Sequence, residues 1–501
     1  MTVVTAGSAT GTAGRNARTG KPAGLRGLVT ALTAWLTRPL ASFHLLLAVF
    51  GLLTVFGLVM VLSASSVDSF NQAGSSYSVF VHQLVYCAVG LVGFYLALRA
   101  PVWLLRRFSH VLLALCLLLL VLVLTPLGAT ASGAQSWFVV AGVSFQPVEP
   151  AKVALALWGA HVLVTKRALL GQYRHLLVPV VPAALLMFTL VVLQPDLGST
   201  AILGIVLLAL LWFAGAPLRL FAVMALGAVT GGVLLAVTAG YRMDRVVSFL
   251  NPGADPLGNG YHALQALYAL ADGGLFGKGL GQGWSKWEYL PNAHNDFIFA
   301  VIGEELGFIG CAMVLALYGT TAYVGMRIAA RNTDPWIRLV AATLTTWMVA
   351  QAAINIGYVV GLLPVTGLPL PLISSGGSSV LTTMVVFGLL ANFARHEPEA
   401  IAALRSLGPG RIGTLLRLPT PAPYRPPARK RPAKPPTSTK RPGSGPSRNG
   451  NSRSGTSQNS AAQTGRQSNR RGGSAGGARP GLRKQVTRGQ ASRTRTTGGH
   501  R

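Results

Sequence analysis

Residues 43–64 have the sequence FHLLLAVFGLLTVFGLVMVLSA, which contains no Asp, Glu, Lys or Arg. A helix of about 20 apolar residues crosses the hydrocarbon core of a bilayer, so this segment predicts a transmembrane helix. Nine further largely apolar segments predict spans at 79–99, 108–127, 148–165, 174–193, 199–215, 217–239, 296–326, 338–362 and 377–395. The predicted fold class is therefore an all-α integral membrane protein with ten transmembrane helices.

The composition also favours a membrane protein. Only 11% of the 501 residues are charged and 51% are hydrophobic, whereas a soluble domain carries about 25% charged residues. Cys87, Cys116 and Cys311 lie inside apolar runs, without a metal-ligand spacing or a disulfide pattern. The first 42 residues are polar and basic and do not resemble a cleavable signal peptide, so the first span is expected to act as the insertion signal.

Basic residues near the ends of the spans predict the orientation of the chain. They lie in the N-terminal segment and after spans two, four, six and eight: Arg15, Arg18, Lys21, Arg26, Arg38, Arg106, Arg107, Lys166, Arg167, Arg174, Arg219, Arg327, Arg331 and Arg338. The positive-inside rule assigns these segments and both termini to the cytoplasm. Of the 13 acidic residues, only Asp334, Glu397 and Glu399 fall on that side. This asymmetry indicates chemistry or cation binding on the outer side.

The chain divides into a basic, mostly disordered N-terminal segment, 1–42, a membrane domain, 43–396, and a basic tail, 397–501. Residues 401–501 hold 22 of the 43 Lys and Arg residues and no Asp or Glu. From about residue 408 the tail is rich in Pro, Gly, Ser and Arg, which predicts disorder. Such a tail is expected to bind acidic partners or anionic lipid, and a topology anchor without a partner is the alternative. Nucleic acid would bind in vitro but is not an expected physiological ligand.

A large external loop, 240–295, separates spans seven and eight. It is rich in Gly and aromatic residues, and it is expected to carry a short interfacial helix at 259–272. Its glycine-rich run, Gly273–Gly281, predicts a structural loop, because no strand precedes it as a nucleotide-binding fold would need.

Polar clusters at the predicted outer edge of the membrane are candidate sites, because ionisable groups in a membrane are costly. Glu149 and Lys152 are three residues apart, so they share one helix face at the start of span four. They form either a local ion pair or part of a polar cavity. Asp196 directly precedes span six, where it is positioned to cap the helix.

Arg242 and Arg245 lie just outside span seven. Two arginines on the outer side run against the positive-inside trend, and guanidinium groups suit phosphate oxygens. They are candidates for binding a lipid headgroup that carries pyrophosphate. Binding to ordinary anionic lipid, or pairing with Asp244, is the alternative.

The most specific cluster is EYLPNAHNDF, residues 288–297, which leads into span eight. Asp296 lies at a helix start that faces the outer solution, where the helix dipole favours the ionised carboxylate. This position suits an electrostatic role, a metal ligand or a general base, and a plain helix cap is the alternative. His294 belongs to the same motif, and Glu304, about two turns deeper, could reach the same cavity.

Together these clusters resemble the SEDS family (shape, elongation, division and sporulation proteins), and within it the division branch most closely. The resemblance covers about residues 43–396 and rests on five motifs in order: Gly133–Trp137 with Gln146–Lys152, Gln194–Gly198, Tyr241–Arg245 through Pro252, Leu290–Leu306 and Leu370–Ser379. The chain departs from the family pattern at Ser136, where arginine is common, and at His262, where glutamine is usual.

The resemblance implies a peptidoglycan glycosyltransferase that polymerises lipid II at the outer face of the cytoplasmic membrane, at the division septum. It implies that Asp296 is the catalytic aspartate, and a divalent cation (Mg²⁺ or Mn²⁺) with Asp296 as a ligand is left open. The residues expected to bind substrate are Trp137, Glu149, Lys152, Arg242, Arg245, His294 and Glu304. The implied partners are lipid II, a class B penicillin-binding protein acting as transpeptidase, and other divisome proteins, with FtsZ or anionic lipid as ligands of the tail.

Other functions remain open at this point. A lipid II flippase would also use polar groups within spans, but it needs a path that opens inward, and here the acidic residues cluster outside. A non-catalytic assembly scaffold would use the basic tail. Within the family, an elongation- or sporulation-type polymerase is the alternative to division, which the Tyr241–Arg245 stretch and the long tail favour.

Overall fold

The computed structural model describes residues 34 and 36–424, apart from 132, 141, 239–248, 252, 254, 256, 257, 259, 285 and 288–292. Most of the described chain is helical. The α-helices are α1 (Ala41–Ala73), α2 (Ser78–Arg99), α3 (Val102–Leu122), α4 (Val148–Thr165), α5 (Tyr173–Leu177), α6 (Val180–Val192), α7 (Leu197–Phe213), α8 (Leu218–Thr238), α9 (Tyr261–Gly273), α10 (Ile298–Arg331), α11 (Pro335–Val359), α12 (Gly377–Arg395), α13 (Pro398–Ser406) and α14 (Gly410–Leu415). The part of the predicted tail beyond residue 424 lies outside the described residues.

Helices occupy part of each of the ten segments predicted as spans. Within the described residues, six helices are long and apolar enough to cross a membrane by length and composition: α1, α2, α3, α10, α11 and α12. The segment 174–193 is divided into α5 and α6 around Pro179, because proline cannot continue a helix through its interior. The protein is thus a mostly helical membrane protein.

Many apolar side chains on these helices face outward. On α8, Leu218, Val223, Leu226 and Val229 are each more than 60% exposed. A continuous apolar surface of this kind marks contact with lipid in a membrane protein. The helix predicted at 259–272 is present as α9.

A small antiparallel sheet accompanies the helices. Strands β1 (Ala129–Ala131), β2 (Ala134–Val140) and β3 (Val143–Phe145) pair in the order β1-β2-β3 between α3 and α4. Gly133 and Gly142 have φ values of 81° and 80°, which suits the tight turns between the strands. Tyr86 on α2 joins the sheet to the helices, because Ser144 N donates to the Tyr86 hydroxyl at 3.0 Å.

Helix α10 is broken at Gly307, whose φ of 66° and ψ of −164° are not helical. The segment 274–287, which we call the glycine loop, fills this break. Four main-chain hydrogen bonds of 2.9–3.3 Å join the glycine loop to α10: Lys278 N to Glu304 O, Gly279 N to Glu305 O, Phe308 N to Gly274 O and Ile309 N to Leu275 O. The loop thereby satisfies backbone groups that a broken helix leaves without partners.

A buried ion pair also anchors the glycine loop. Lys286 Nζ lies 3.5 Å from Glu305 Oε1, and the two side chains are 6% and 0% exposed. Ser63 on α1 donates to the Glu305 carboxylate, with its oxygen 2.7 and 2.6 Å from Oε1 and Oε2. The part of the glycine-rich run after Gly273 therefore lies in a loop that this ion pair and the main-chain hydrogen bonds hold against α10.

The folded chain extends beyond residue 396, where the sequence analysis places the start of the tail. Helices α13 and α14 follow α12, and Ile401, Leu404 and Leu418 are buried. Arg395 donates to Pro419 O at 2.8 Å, which holds the segment after α14 against α12. The apolar face of α13 gives this part of the chain a packing surface.

Candidate functional site

Asp296 lies two residues before α10 begins at Ile298, and its side chain is half-buried. Phe297, rather than Asp296, occupies the N-cap position of the helix. The main-chain carbonyl of Asp296 accepts a hydrogen bond from Asn355 Nδ2 at 3.0 Å, and the Tyr358 hydroxyl donates to the same oxygen at 2.8 Å. Two side chains of α11 therefore fix the backbone at Asp296 without using its carboxylate.

The same two side chains hold the loop 366–368. Their polar atoms lie 2.7 and 2.9 Å from Leu368 O, so they bridge this loop and the start of α10. Gly367 has a φ of 69°, and a Cβ at this residue would lie 3.7 Å from Asp296 Oδ2. The carboxylate therefore lies beside the loop backbone, in a space that a side chain at position 367 would reduce.

Asp196 lies at the end of α7 that approaches the same loop. Its carboxylate accepts hydrogen bonds from Ser199 N at 2.9 Å and Ser199 Oγ at 2.6 Å, which confirms the predicted helix cap. Gln146 Nε2 donates to Asp196 Oδ2 at 3.0 Å. A Cβ at Gly198 would lie 2.7 Å from Thr366 O, so the first turn of α7 packs closely against the loop.

His294 is held by two other segments. Ser375 N and Ser375 Oγ each donate to His294 O at 3.0 Å. The imidazole Nδ1 lies 3.4 Å from the carboxylate of Asp68 on α1. Burial lowers the pKa of His294 below its ordinary value of 6.5, and the Asp68 carboxylate opposes this shift. At pH 7 the imidazole is therefore mostly neutral and can exchange hydrogen bonds with a polar ligand.

Lys152 and Glu149 form a buried ion pair. Lys152 Nζ lies 2.9 Å from Glu149 Oε2, and the side chains are 0% and 3% exposed. The ammonium also lies 4.9 Å from the centre of the Trp347 ring and 3.5 Å from Gln351 Oε1. Gln351 Nε2 donates to Pro369 O at 2.9 Å, which links the pair to the backbone next to the loop 366–368. The predicted ion pair is thus present, and protein encloses its ammonium.

Removing one partner of this ion pair should destabilise the protein. We expect Lys152→Met to lower the free energy of unfolding by about 3–5 kcal/mol, because it leaves an uncompensated buried carboxylate. The double variant Glu149→Gln/Lys152→Met should recover most of this loss, since no buried charge remains. Thermal unfolding of the purified variants in detergent measures both effects. A double variant no more stable than the single variant would contradict the argument.

Glu304 faces the glycine loop. Its Oε1 accepts a hydrogen bond from Trp284 N at 2.6 Å. It lines a cavity of about 630 Å³ together with Gln265, Tyr268, Ala269, Ala271, Asp272 and Trp284. Asp296 is not among the described residues that line this cavity. Glu304 is thus anchored to the glycine loop, and its sharing of a cavity with Asp296 stays a prediction.

The remaining predicted residues lie apart or outside the described chain. Trp137 is half-buried on β2, where it pairs with Ala129 of β1. Arg242 and Arg245 lie outside the described residues. Within the part of the chain that the structure describes, no group of three or more His, Cys, Asp and Glu side chains is placed to hold a metal ion.

Sequence reasoning misses Asn355, Tyr358 and Asp68, which position Asp296 and His294. A signal for the first of these is present, because Gln351 and Asn355 are intramembrane amides four residues apart on one helix face. Ionisable groups near a membrane stand out in a sequence as candidate sites, whereas Asn355 and Tyr358 act through neutral hydrogen bonds.

Comparison with known proteins gives consistent matches. The family model for cell cycle proteins of the FtsW, RodA and SpoVE type matches residues 43–399. The probable peptidoglycan glycosyltransferase FtsW of Mycobacterium tuberculosis is 54% identical over 399 residues, which cover 79% of this chain and 76% of the relative. Stage V sporulation protein E of Bacillus subtilis is 38% identical over 354 residues, 70% of this chain and 97% of the relative.

A solved structure with a similar fold points to the same family as these relatives. It is described as showing the structural coordination of polymerization and crosslinking by a peptidoglycan synthase complex. One of its chains matches with a TM-score of 0.59 and 27% identity, over 73% of this chain and 99% of that chain. The match of the family model over most of the membrane domain, together with the 54% identity, shows that this chain belongs to the SEDS family of cell cycle proteins.

Proposed function

We propose that the protein is a peptidoglycan glycosyltransferase that polymerises lipid II into glycan strands during cell division. The observation that carries this proposal is the geometry at Asp296. Its backbone is fixed by Asn355 and Tyr358, while its carboxylate lies beside the loop 366–368. A carboxylate held in one position, with its main chain secured by other groups, suits a general base.

Ten spans with both termini in the cytoplasm would place this site on the outer face of the membrane. Helices in all ten predicted segments support such a topology. The three carboxylates Asp68, Asp196 and Asp296 would then lie on the outer side, where the precursor is used. The external loop 240–295 would cover this side between α8 and α10.

The reaction joins a sugar hydroxyl to the anomeric carbon of a sugar that carries a polyprenyl pyrophosphate. The hydroxyl oxygen attacks that carbon, the bond from the carbon to the pyrophosphate oxygen breaks, and the hydroxyl proton passes to the Asp296 carboxylate. Positive charge must stabilise the departing pyrophosphate. Arg242 and Arg245 are the proposed source of this charge, because the Lys152 ammonium is enclosed and paired with Glu149.

A divalent cation could share this task. Mg²⁺ is often held by one or two carboxylates together with the phosphates of the substrate, rather than by a complete protein cage. Asp296 is the proposed protein ligand for such a cation. His294 and Trp137 are proposed to contact the sugar or its peptide, and Glu304 to support the glycine loop at the rim of the site.

A class B penicillin-binding protein is the proposed partner. The similarity to a chain of a peptidoglycan synthase complex supports a division of labour in which this chain polymerises and its partner crosslinks. The basic residues beyond 424 are proposed to bind an acidic partner such as FtsZ, or anionic lipid. Binding of a peptide of residues 425–501 to an acidic peptide or anionic vesicles, weakening as salt rises, would test this role.

The experiment that tests the function uses purified protein, labelled lipid II and Mn²⁺ or Mg²⁺, with and without the penicillin-binding protein. We expect a ladder of glycan chains on a gel. Liposomes that contain the protein and labelled lipid II provide the second arm, in which the alternative function, a flippase, would move lipid II between leaflets. Translocation without a ladder under every partner and metal condition would reject the polymerase.

Higher identity to FtsW than to the sporulation protein favours division over sporulation.

A further inference from the structure

A cavity of about 370 Å³ lies at the opposite end of α10 from Asp296. Four helices meet at this cavity. The C-terminal ends of α4, α7 and α10 and the N-terminal end of α11 form its walls. Most of the lining is apolar, and its larger side chains are Leu163, Leu170, Phe213, Met326 and Leu339. In the topology proposed above, this cavity opens on the cytoplasmic leaflet.

Two guanidinium groups, those of Arg167 and Arg338, complete the lining. Both residues are exposed, and none of the described lining residues carries a carboxylate. Two other arginines at this end are paired: Arg106 with Asp334, and Arg331 with Glu397 and Glu399. Among the described residues, Arg167 and Arg338 form no ion pair.

The positive-inside rule explains basic residues at this end, but it does not require them to share an apolar cavity between four helices. A site with apolar walls and two guanidinium groups outside any ion pair suits a phosphodiester attached to hydrocarbon. A soluble phosphate would need the arginines but not the apolar walls. Trp212 on α7 and Tyr323 on α10 are exposed, and each precedes a cavity-lining residue, Phe213 and Met326, by one and three positions.

We propose that this cavity is a binding site for an anionic phospholipid of the cytoplasmic leaflet. The phosphate would lie between Arg167 and Arg338, and the acyl chains would run along α7 and α10. Basic pockets between transmembrane helices on the cytoplasmic side bind anionic lipid headgroups in this way. The bound lipid would bridge the ends of α10 and α11, whose opposite ends hold Asp296 and Tyr358.

Thermal unfolding in a neutral detergent, with added lipid, tests the proposal. Saturating phosphatidylglycerol should raise the apparent Tm of the wild-type protein by about 3 °C, because it binds the folded state. Phosphatidylcholine and inorganic phosphate should each leave the Tm within about 1 °C. The double variant Arg167→Gln/Arg338→Gln should lose the response, whereas the charge-matched control Arg405→Gln/Arg411→Gln, on the exposed faces of α13 and α14, should keep it.

A second variant covers the case in which the double variant does not fold. Ala330→Leu adds volume at an exposed position of the cavity wall and keeps both arginines, so it should fold and lose the response. A full response in this variant or in a folded Arg167→Gln/Arg338→Gln protein would overturn the site. An equal shift with phosphatidylcholine would remove the role of headgroup charge, and an equal shift with inorganic phosphate would assign the cavity to a soluble anion. None of these outcomes depends on glycan polymerisation.

Discussion

Replacing Asp296 with Asn should abolish polymerisation of lipid II while leaving the protein folded. Loss of a general base lowers a rate by about 10²–10⁴-fold, so the ladder of glycan chains should disappear from the gel. The fold should persist because the bonds from Asn355 and Tyr358 reach the main-chain oxygen of residue 296, which the substitution retains. Asn also keeps the shape of the side chain and removes its charge.

The measurement compares the initial rate of lipid II consumption and the Tm of the variant with those of the wild type. Asp272→Asn is the matched control, because Asp272 is an exposed carboxylate that pairs with Lys278. It should retain a rate within about twofold of the wild type. An Asp296→Asn protein with near-normal glycan output would remove this carboxylate from the mechanism.

Replacing Gly307 with Ala should cause a large loss of stability. A Cβ at this position would lie 2.4 Å from Gly277 N and 2.5 Å from Leu275 O, both backbone atoms that cannot rotate away. The φ and ψ values there belong to a region almost restricted to glycine, which adds about 1–3 kcal/mol of strain. Displacing the glycine loop would also break its hydrogen bonds to α10. We expect a total cost of about 3–5 kcal/mol.

Gly319→Ala is a matched control on the same helix, because nothing lies within 4 Å of the Cβ that it would introduce. Alanine in a regular helix is more stable than glycine by about 0.5–1 kcal/mol, so this variant should be as stable as the wild type or slightly more. The Tm in detergent and the monodisperse fraction in size-exclusion chromatography report both effects. Equal behaviour of the two variants would show that the break at Gly307 is not required.

Local patterns in the sequence are sufficient for much of this fold. Apolar length predicts helices at all ten segments, and the position of Asp196 before a helix predicts its cap. The spacing of Glu149 and Lys152 predicts that they share a helix face, and the ion pair that they form there is one of the two interpretations left open by the sequence. Each of these features depends on residues within one helix or its first turn, so the local chain determines it.

Features that depend on distant contacts were not predictable in this way. The break at Gly307 is stabilised by a loop about 30 residues earlier, and a lone glycine within an apolar run does not indicate it. The small sheet between α3 and α4 has two strands of three residues, too short to give a clear alternating pattern. The hydrogen bond from Trp284 N to the Glu304 carboxylate joins residues 20 apart in the chain, and no local pattern indicates it.

The break in α10 also bears on how the chain enters the bilayer during synthesis. As one straight helix, the 34 residues of α10 would be about 51 Å long, far more than the roughly 30 Å of hydrocarbon. The part after Gly307, residues 308–331, is about 36 Å long and can cross alone. Glu304 and Glu305 precede this shorter helix, so during biogenesis their carboxylates can stay at the aqueous surface. They then bind their partners in the glycine loop, Trp284 N and Lys286.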